Sequence, residues 1–187
     1  PTSQKAVQTT SLDQARIFSF QYAYAQLLIT LGTKPFATFG HSLGQYTSAT
    51  VSGVLSLELA IAMVAKRATL MDPLHGAGTM LMCFASLTEV SQLINGLDLD
   101  IAGVQTENAI SVSGRHSELS MLKEKLSAQS ISYSDIPVDY PFHSSQLVEA
   151  ATQFSQAFLT DFYASSSDVK AKLLLNKISG FDPSEID

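Results

Sequence analysis

The sequence predicts a protein of the α/β class, and three observations support this prediction. Apolar residues at helical spacing alternate with short strand-like runs along the chain. A G-x-S-x-G pentapeptide, residues 40–44, stands between a short apolar run and a helical run. Residues 79–140 follow the order β-α-β-β-α-β, which is typical of a ferredoxin-like subdomain. We therefore expect a main body that carries the pentapeptide and a smaller lobe inserted after it.

The first part of the chain, residues 1–78, is predicted to be a large subdomain. A polar run over residues 1–11 precedes a helix with apolar residues at spacings of three and four, which ends at Gly32. Ser56 is a predicted N-cap, and Asp72-Pro73 ends the helix that it begins. The predicted elements are a helix over 12–31, a strand over 35–39, a helix over 43–51 and a helix over 57–70.

In the second part, residues 79–140, the predicted elements are short and follow the order of the ferredoxin-like lobe. A turn at residues 106–108 separates its two middle strands. The predicted elements are a strand over 79–85, a helix over 87–94, strands over 100–104 and 109–112, a helix over 117–128 and a strand over 131–138.

The last part of the chain is predicted to return to the large subdomain over residues 141–163, mostly as a helix over 145–162. Residues 164–187 are predicted to be a linker, with a Ser-rich break at 165–167 and an amphipathic run over 169–178.

Composition excludes several classes of protein. With 187 residues, 45% of them hydrophobic and 15% charged, the chain is able to bury a core. A net charge of −6 does not suit a nucleic-acid partner. A single cysteine, Cys83, excludes an internal disulfide and a cysteine zinc cluster, and its apolar surroundings predict burial. No apolar stretch is long enough for a membrane span and no signal peptide precedes the core, so we expect a cytoplasmic protein without a membrane partner or a metal.

Ser42 is the candidate nucleophile. A serine at a sharp strand-to-helix turn has its hydroxyl lifted clear of the backbone, and the flanking glycines leave room for a substrate carbonyl. The helix N-terminus behind the turn suits a developing oxyanion. The competing interpretation is a glycine-rich structural turn.

A nucleophilic serine needs a base, and His143 is the best placed of four histidines. It follows Phe142 where the small lobe is expected to rejoin the main body. His41 adjoins Ser42 but is expected to line the pocket. His75 lies in a Pro/Gly loop, and His116 is expected to be a solvated residue near a helix start.

Arg67 is a second candidate, since it lies in an otherwise apolar helical stretch 25 residues after Ser42. An arginine in such a place is able to hold a carboxylate through a bidentate fork. Spacing alone favours the other interpretation, a surface arginine whose stem covers apolar side chains.

Taken together, these segments resemble the acyltransferase domain of polyketide and fatty acid synthases, the malonyl-CoA:acyl-carrier-protein transacylase family. The resemblance covers roughly residues 12–160. Residues 13–23 are similar to the family's Q-P-A-L-F-A-x-Q-Y-A helix, GHSLGQYTSA to GHSxGEYAA, and residues 52–57 to AGVLSLEDA. Residues 111–114 are similar to the V-x-SG strand, and residues 140–144 to the FHS motif of the catalytic histidine.

The resemblance implies an acyl transfer in two steps through an acyl-Ser42 ester, with His143 as the base and the N–H of Leu43 as an oxyanion donor. Arg67 falls where the family keeps the arginine that pairs with the malonyl carboxylate. Gln14 and His41 are implied to contact the substrate. Phe142 is the residue type that the family associates with malonyl. The implied donor is malonyl-CoA and the acceptor is phosphopantetheine on an acyl carrier protein, alongside neighbouring synthase domains and without a bound cofactor.

The resemblance also implies an α/β hydrolase-like large subdomain that is incomplete at both ends. The family's G-Q-G motif would lie before Pro1, and further large-lobe elements would follow His143. Gln45 stands where the family has glutamate, and Gln105 and Glu107 stand near the position of its Asn-Pro pair. Residues 173–187 are similar to the opening helix of a carrier domain, or are simply a terminal amphipathic helix.

Two other functions remain open at this point. A serine hydrolase would pass the acyl group to water, and the order of Asp135, Asp139 and His143 does not exclude it. A non-catalytic synthase fragment would keep the same residues without turnover.

Overall fold

The computed structural model describes residues 10–164, with the side-chain surroundings described for residues 12–158. Short 3₁₀ turns lie at Asp72–Leu74 and Ser145–Leu147. The predictions for residues 165–187 lie outside the described residues. The helices and strands are, in chain order, α1 Thr10–Thr30, α2 Gly44–Val51, α3 Leu57–Met71, β1 Thr79–Cys83, α4 Leu87–Ile94, β2 Leu99–Thr106, β3 Ala109–Gly114, α5 His116–Ala128, β4 Tyr133–Ile136 and α6 Val148–Ala164.

The chain divides into two compact units. The described residues of the first are 10–72 and 152–164, and the second is Pro73–Ala151. Each unit has its own cluster of buried apolar residues.

The first unit is helical, and α1 contacts both α2 and α3. Its core consists of Phe18, Leu43, Ala49, Leu55, Ala60 and Val64. Helix α3 begins where the sequence predicts, because the Ser56 hydroxyl accepts a hydrogen bond from the N–H of Leu59 at 3.2 Å. Ala60 and Ala68 on this helix are fully buried, which leaves room for the backbones of neighbouring helices to approach.

The strand predicted over residues 35–39 is wrong, since the structure places no strand there. A strand requires a hydrogen-bonded neighbour, and the four described strands pair with one another in the second unit. Thr38 is instead tied to α2, because its hydroxyl donates to the carbonyl of Ser48 at 3.2 Å. Phe36 and Phe39 are exposed.

The second unit contains a four-stranded antiparallel sheet in the order β2-β3-β1-β4. Its elements follow the predicted order β-α-β-β-α-β. Leu81 and Cys83 of β1 and Ile110 and Val112 of β3 point to the core, which also takes in residues of α4 and α5. Strands β2 and β3 are longer than predicted, and two irregularities in their register accommodate the extra residues.

Helix α4 has the bounds that the sequence predicts, and a capping box explains its start. The Ser86 hydroxyl accepts from the N–H of Glu89, and the Glu89 carboxylate accepts from the N–H of Ser86. The Ser86 hydroxyl also donates to the Glu89 carboxylate at 2.6 Å, and this bond, together with the one from the Ser86 N–H, lowers the pKa of Glu89.

Across the described part of the chain, the helices are all too short or too polar to cross a membrane.

Candidate functional site

The turn before α2 has the strained geometry of a nucleophile elbow. Ser42 adopts a φ of 51°, a left-handed conformation that is uncommon for a residue with a side chain. Gly40 makes the turn possible, because a Cβ at this position would lie 2.0 Å from the carbonyl oxygen of Gly44. Backbone hydrogen bonds from Gly44 to His41 and from Gln45 to Ser42, at 2.9 and 3.1 Å, close the turn.

Leu43 is the N-cap of α2 and is buried. The N–H groups of Gly44, Gln45 and Tyr46 donate to the carbonyls of His41, Ser42 and Leu43, and the N-terminus of the helix is the positive end of its dipole. The backbone next to Ser42 is therefore suited to stabilise a negative oxygen.

Arg67 extends from α3 to the elbow. Its Nη2 lies 3.4 Å from Ser42 Oγ, and its Nη1 donates a hydrogen bond to Gln14 Oε1. The side chain is only partly exposed, and burial lowers the pKa of its guanidinium. A cation with its donors turned toward the candidate nucleophile is placed to hold an anionic group next to that nucleophile.

Gln14 is almost fully buried on α1, with 5% of its surface exposed. While its carbonyl accepts from Arg67, its amide nitrogen donates to the sulfur of Met71 at 3.5 Å. Both ends of the amide are thus engaged with α3, so Gln14 fixes the orientation of the guanidinium.

Tyr46 is a neighbour of Arg67 that the sequence did not single out. Burial raises the pKa of the Tyr46 phenol, and the positive charge of Arg67 partly offsets this effect. The ring of Tyr46 meets Phe154 edge-on at 6.4 Å. No helical spacing connects Tyr46 to Ser42, because Ser42 precedes α2 in a left-handed turn whereas Tyr46 lies in the first turn of that helix.

His41 faces a different part of the first unit. It helps to line a cavity of about 420 Å³ between α1, α2 and the segment before the elbow, and Ser42, Gln14 and Arg67 are not among the described residues of its wall. The residues of the wall are Gln21, Ala25, Thr38, Phe39, Gly40, His41, Gly44, Thr47, Ser48 and Val51.

His143 lies in the second unit and, like Ser42, has a left-handed backbone, with a φ of 60°. The ring of Phe142 stacks on Tyr140 at 5.2 Å, and His75 meets the other side of this pair by an edge contact with Tyr140 at 5.2 Å. The segment that carries His143 is therefore built on an aromatic stack.

Asp139, just before that stack, lies between two histidines. Its carboxylate oxygens are 3.5 Å from His75 Nε2 and 3.4 Å from His116 Nε2. Within residues 12–158 no group of three or more His, Cys, Asp or Glu side chains is arranged to hold a metal ion.

The structure thus brings Gln14, Ser42 and Arg67 together, with Leu43 beside Ser42 and Tyr46 as an added neighbour. A hydroxyl on a strained turn, a helix N-terminus and a fixed guanidinium can form an ester and hold an acyl group that carries a negative charge.

Comparison with known proteins agrees with this chemistry. The model of the acyl transferase domain family matches residues 2–176. The non-reducing polyketide synthase pks27 of Aspergillus flavus is 34% identical over 139 residues, which is 73% of this chain and 7% of that protein. The chain therefore spans a small part of the curated relative that it matches.

Solved structures give the same answer. The acyltransferase domain of the second module of the salinomycin polyketide synthase superposes with a TM-score of 0.77 and 27% identity, over 83% of this chain and 37% of that chain. The acyltransferase domain of an iterative polyketide synthase in enediyne biosynthesis has a TM-score of 0.74 and 25% identity, over 83% and 42%. The α/β fold is that of acyltransferase domains, and the chain belongs to the acyl transferase domain family.

Proposed function

We propose that this chain carries a malonyl or related acyl unit from coenzyme A to the phosphopantetheine arm of an acyl carrier protein, in polyketide or fatty acid biosynthesis. The observation that carries the proposal is the position of Arg67, whose guanidinium is held by Gln14 with Nη2 turned to the oxygen of Ser42. An enzyme that handles only uncharged acyl groups has no use for a cation at this point.

In the proposed reaction, Ser42 Oγ attacks the thioester carbon of acyl-CoA while His143 accepts the hydroxyl proton. The carbonyl oxygen becomes an oxyanion, which the N–H of Leu43 stabilises. The carbon–sulfur bond then breaks, and His143 returns the proton to the thiolate of coenzyme A. The phosphopantetheine thiol next gives its proton to His143 and attacks the acyl-Ser42 ester. The bond from the acyl carbon to Ser42 Oγ breaks, His143 returns the proton to Ser42 Oγ, and the acyl group remains on the carrier as a thioester.

Selectivity in the proposal comes from three groups. The guanidinium of Arg67 forms a bidentate pair with the free carboxylate of the acyl unit, and Gln14 holds it in place. Phe142 is the residue type that the family resemblance associates with malonyl in preference to its methylated relative. His41, which adjoins Ser42 in the elbow and lines the neighbouring cavity, is proposed to contact the substrate from there.

We further propose that the large subdomain is α/β hydrolase-like and that residues 79–140 form a ferredoxin-like lobe. The antiparallel order β2-β3-β1-β4 supports the ferredoxin-like description. An acyl carrier protein and neighbouring synthase domains are the proposed partners, in the cytoplasm.

Mass spectrometry after mixing with malonyl-CoA tests the proposal. We expect one malonyl adduct on Ser42, absent in Ser42→Ala. Arg67→Ala should lower the rate with malonyl-CoA about 100-fold relative to acetyl-CoA, because a charge-assisted pair contributes ~3 kcal/mol.

Lys66→Ala is the matched control, since Lys66 is the neighbouring cation on α3 and is exposed. It should leave the preference unchanged. An Arg67→Ala enzyme with unaltered preference would contradict the role of Arg67. An adduct that passes to water but never to a carrier thiol would favour a serine hydrolase, and the absence of any adduct would favour a non-catalytic fragment.

A further inference from the structure

The backbone of His143 is held in a conformation that it would not adopt by itself. A left-handed φ of 60° costs a residue with a side chain of order 1–3 kcal/mol. Such a conformation persists only where the neighbouring residues are fixed on both sides. Hydrogen bonds on each side of His143 must therefore hold this segment in place.

On the side before His143, the segment is tied to the loop that leads into β1. The N–H of Gly76 donates to the carbonyl of Asp139 at 2.9 Å, and the Thr79 hydroxyl donates to the carbonyl of Val138 at 2.6 Å. These bonds hold the chain as far as Tyr140.

On the side after His143, the buried Ser144 hydroxyl donates to the carbonyl of Pro141 at 2.7 Å across the turn, and a carboxylate ties the next residue, Ser145, to the sheet. Asp100 Oδ2 accepts from the backbone N–H of Ser145 at 2.7 Å and from the Ser145 hydroxyl at 2.8 Å. Both are short hydrogen bonds to a charged acceptor, which are stronger than bonds between neutral groups. They join residues that are 45 positions apart in the chain, and one of these residues, Ser145, is two positions after His143.

The position of Asp100 in the sheet explains how it reaches Ser145. Leu99 and Ile101 on either side pack against the core under α4 and α5. Because neighbouring residues of a strand point to opposite faces, Asp100 points to the face of the sheet away from these helices. It lies there opposite Ser113 of β3, so the sheet serves as the platform for the end of the His143 segment.

We propose that Asp100 is a positioning residue for His143. It holds Ser145, and through Ser145 it keeps the left-handed turn that sets the direction of the His143 ring. Asp100 does not touch the substrate in this proposal, which rests on the proposed role of His143 as the base.

Two variants remove the hydrogen bonds between Asp100 and Ser145, one by changing the acceptor and the other by changing the donors. Asp100→Ala removes the acceptor. Ser145→Pro removes both donors and is compatible with the backbone, because Ser145 begins a 3₁₀ turn and Ser144 before it is extended, with φ −110° and ψ 167°. Asp98→Asn is the matched control, since its carboxylate is exposed and lies 3.8 Å from Arg115 instead.

We expect the rate of Ser42 acylation at saturating malonyl-CoA to fall about tenfold in both variants, with KM for malonyl-CoA unchanged. Asp100→Asn keeps an oxygen acceptor and should restore most of the rate, and Asp98→Asn should stay within about twofold of the parent. A parent-like rate in Asp100→Ala, or a loss that Asp100→Asn does not restore, would overturn the proposal.

Amide hydrogen exchange provides a readout that does not depend on activity. The Ser145 amide should exchange about tenfold faster in Asp100→Ala, whereas amides of β1 and β3 keep their protection. If the parent protein forms no acyl adduct, the proposed function fails, yet exchange still decides whether Asp100 holds the segment. Unchanged exchange at Ser145 would refute the tie itself.

Discussion

Arg67 shows how one partly buried charge organises the residues around it. Part of its guanidinium is removed from water, and this burial lowers its pKa. The amide of Gln14 compensates by accepting from Nη1 while donating to Met71. The neutral phenol of Tyr46 adds a polar neighbour without a competing negative charge, because burial raises its pKa. The charge therefore remains available for an anionic ligand.

Replacement of Gln14 tests this arrangement. Gln14→Glu would place a carboxylate on Arg67 and neutralise it, so the rate with malonyl-CoA should fall at least tenfold relative to acetyl-CoA. Gln14→Leu should show a smaller loss, since the guanidinium is freed but stays charged. Acylation rates with the two donors measure the effect.

Gln26→Leu, on the same helix, is the control and should leave the ratio of the two rates unchanged. Equal losses with malonyl-CoA and acetyl-CoA in Gln14→Glu would argue that Gln14 supports only the fold.

Among the structural elements, the elbow depends on one of its two glycines. Gly40 and Gly44 look equivalent in the G-x-S-x-G pattern, but their surroundings differ. A Cβ on Gly40 would overlap the backbone of Gly44, whereas a Cβ on Gly44 would have its nearest atom, Gln21 Oε1, at 4.0 Å.

Gly40→Ala should therefore lower the free energy of unfolding by about 3 kcal/mol or more, because backbone atoms must move to admit the methyl group. Gly44→Ala should stay within about 1 kcal/mol of the parent or stabilise it, since alanine favours a helix. Denaturant unfolding of the two variants checks the difference. Equal losses would mean that the close approach of residues 40 and 44 is not maintained in solution.

In the molecule as a whole, each of the two units has its own buried core and carries its own candidate residues. Ser42 and Arg67 belong to the first unit, and His143 belongs to the second. The core of the second unit lies between one face of the sheet and helices α4 and α5, and it contains Cys83. Burial raises the pKa of the Cys83 thiol to about 11, above its ordinary value. Near pH 8 the folded protein therefore presents little thiolate, and opening of this core restores it.

Cys83 serves as a reporter for this core. Leu122→Ala, at a fully buried position, should destabilise the unit by about 2–5 kcal/mol and raise the rate of Cys83 alkylation at pH 8 by at least tenfold. Met121→Ala changes the exposed neighbour and should alter stability by less than about 0.5 kcal/mol. Equal alkylation rates in the two variants would contradict the assignment of this core.

Local patterns predict most of the elements. The N-cap of α3, the capping box of α4 and the order of strands and helices over residues 79–136 follow from short-range chemistry. The strand predicted over 35–39 was wrong because a strand depends on a partner that its own residues do not specify. The bounds of β2 and β3 were too short because register irregularities arise from pairing.

By itself the sequence determined the chemistry that is local in the chain. It placed Ser42 in a turn before a helix, supplied the glycine that the turn requires and set an arginine at helical spacing in an apolar stretch. Only the tertiary structure decided the orientation of that arginine, since Gln14 reaches it across 53 residues. The structure also decided the bond of Asp100 to Ser145 across 45 residues. Hydrogen bonds of this kind depend on which helices and strands come into contact. The spacing of side chains along a single element does not determine those contacts.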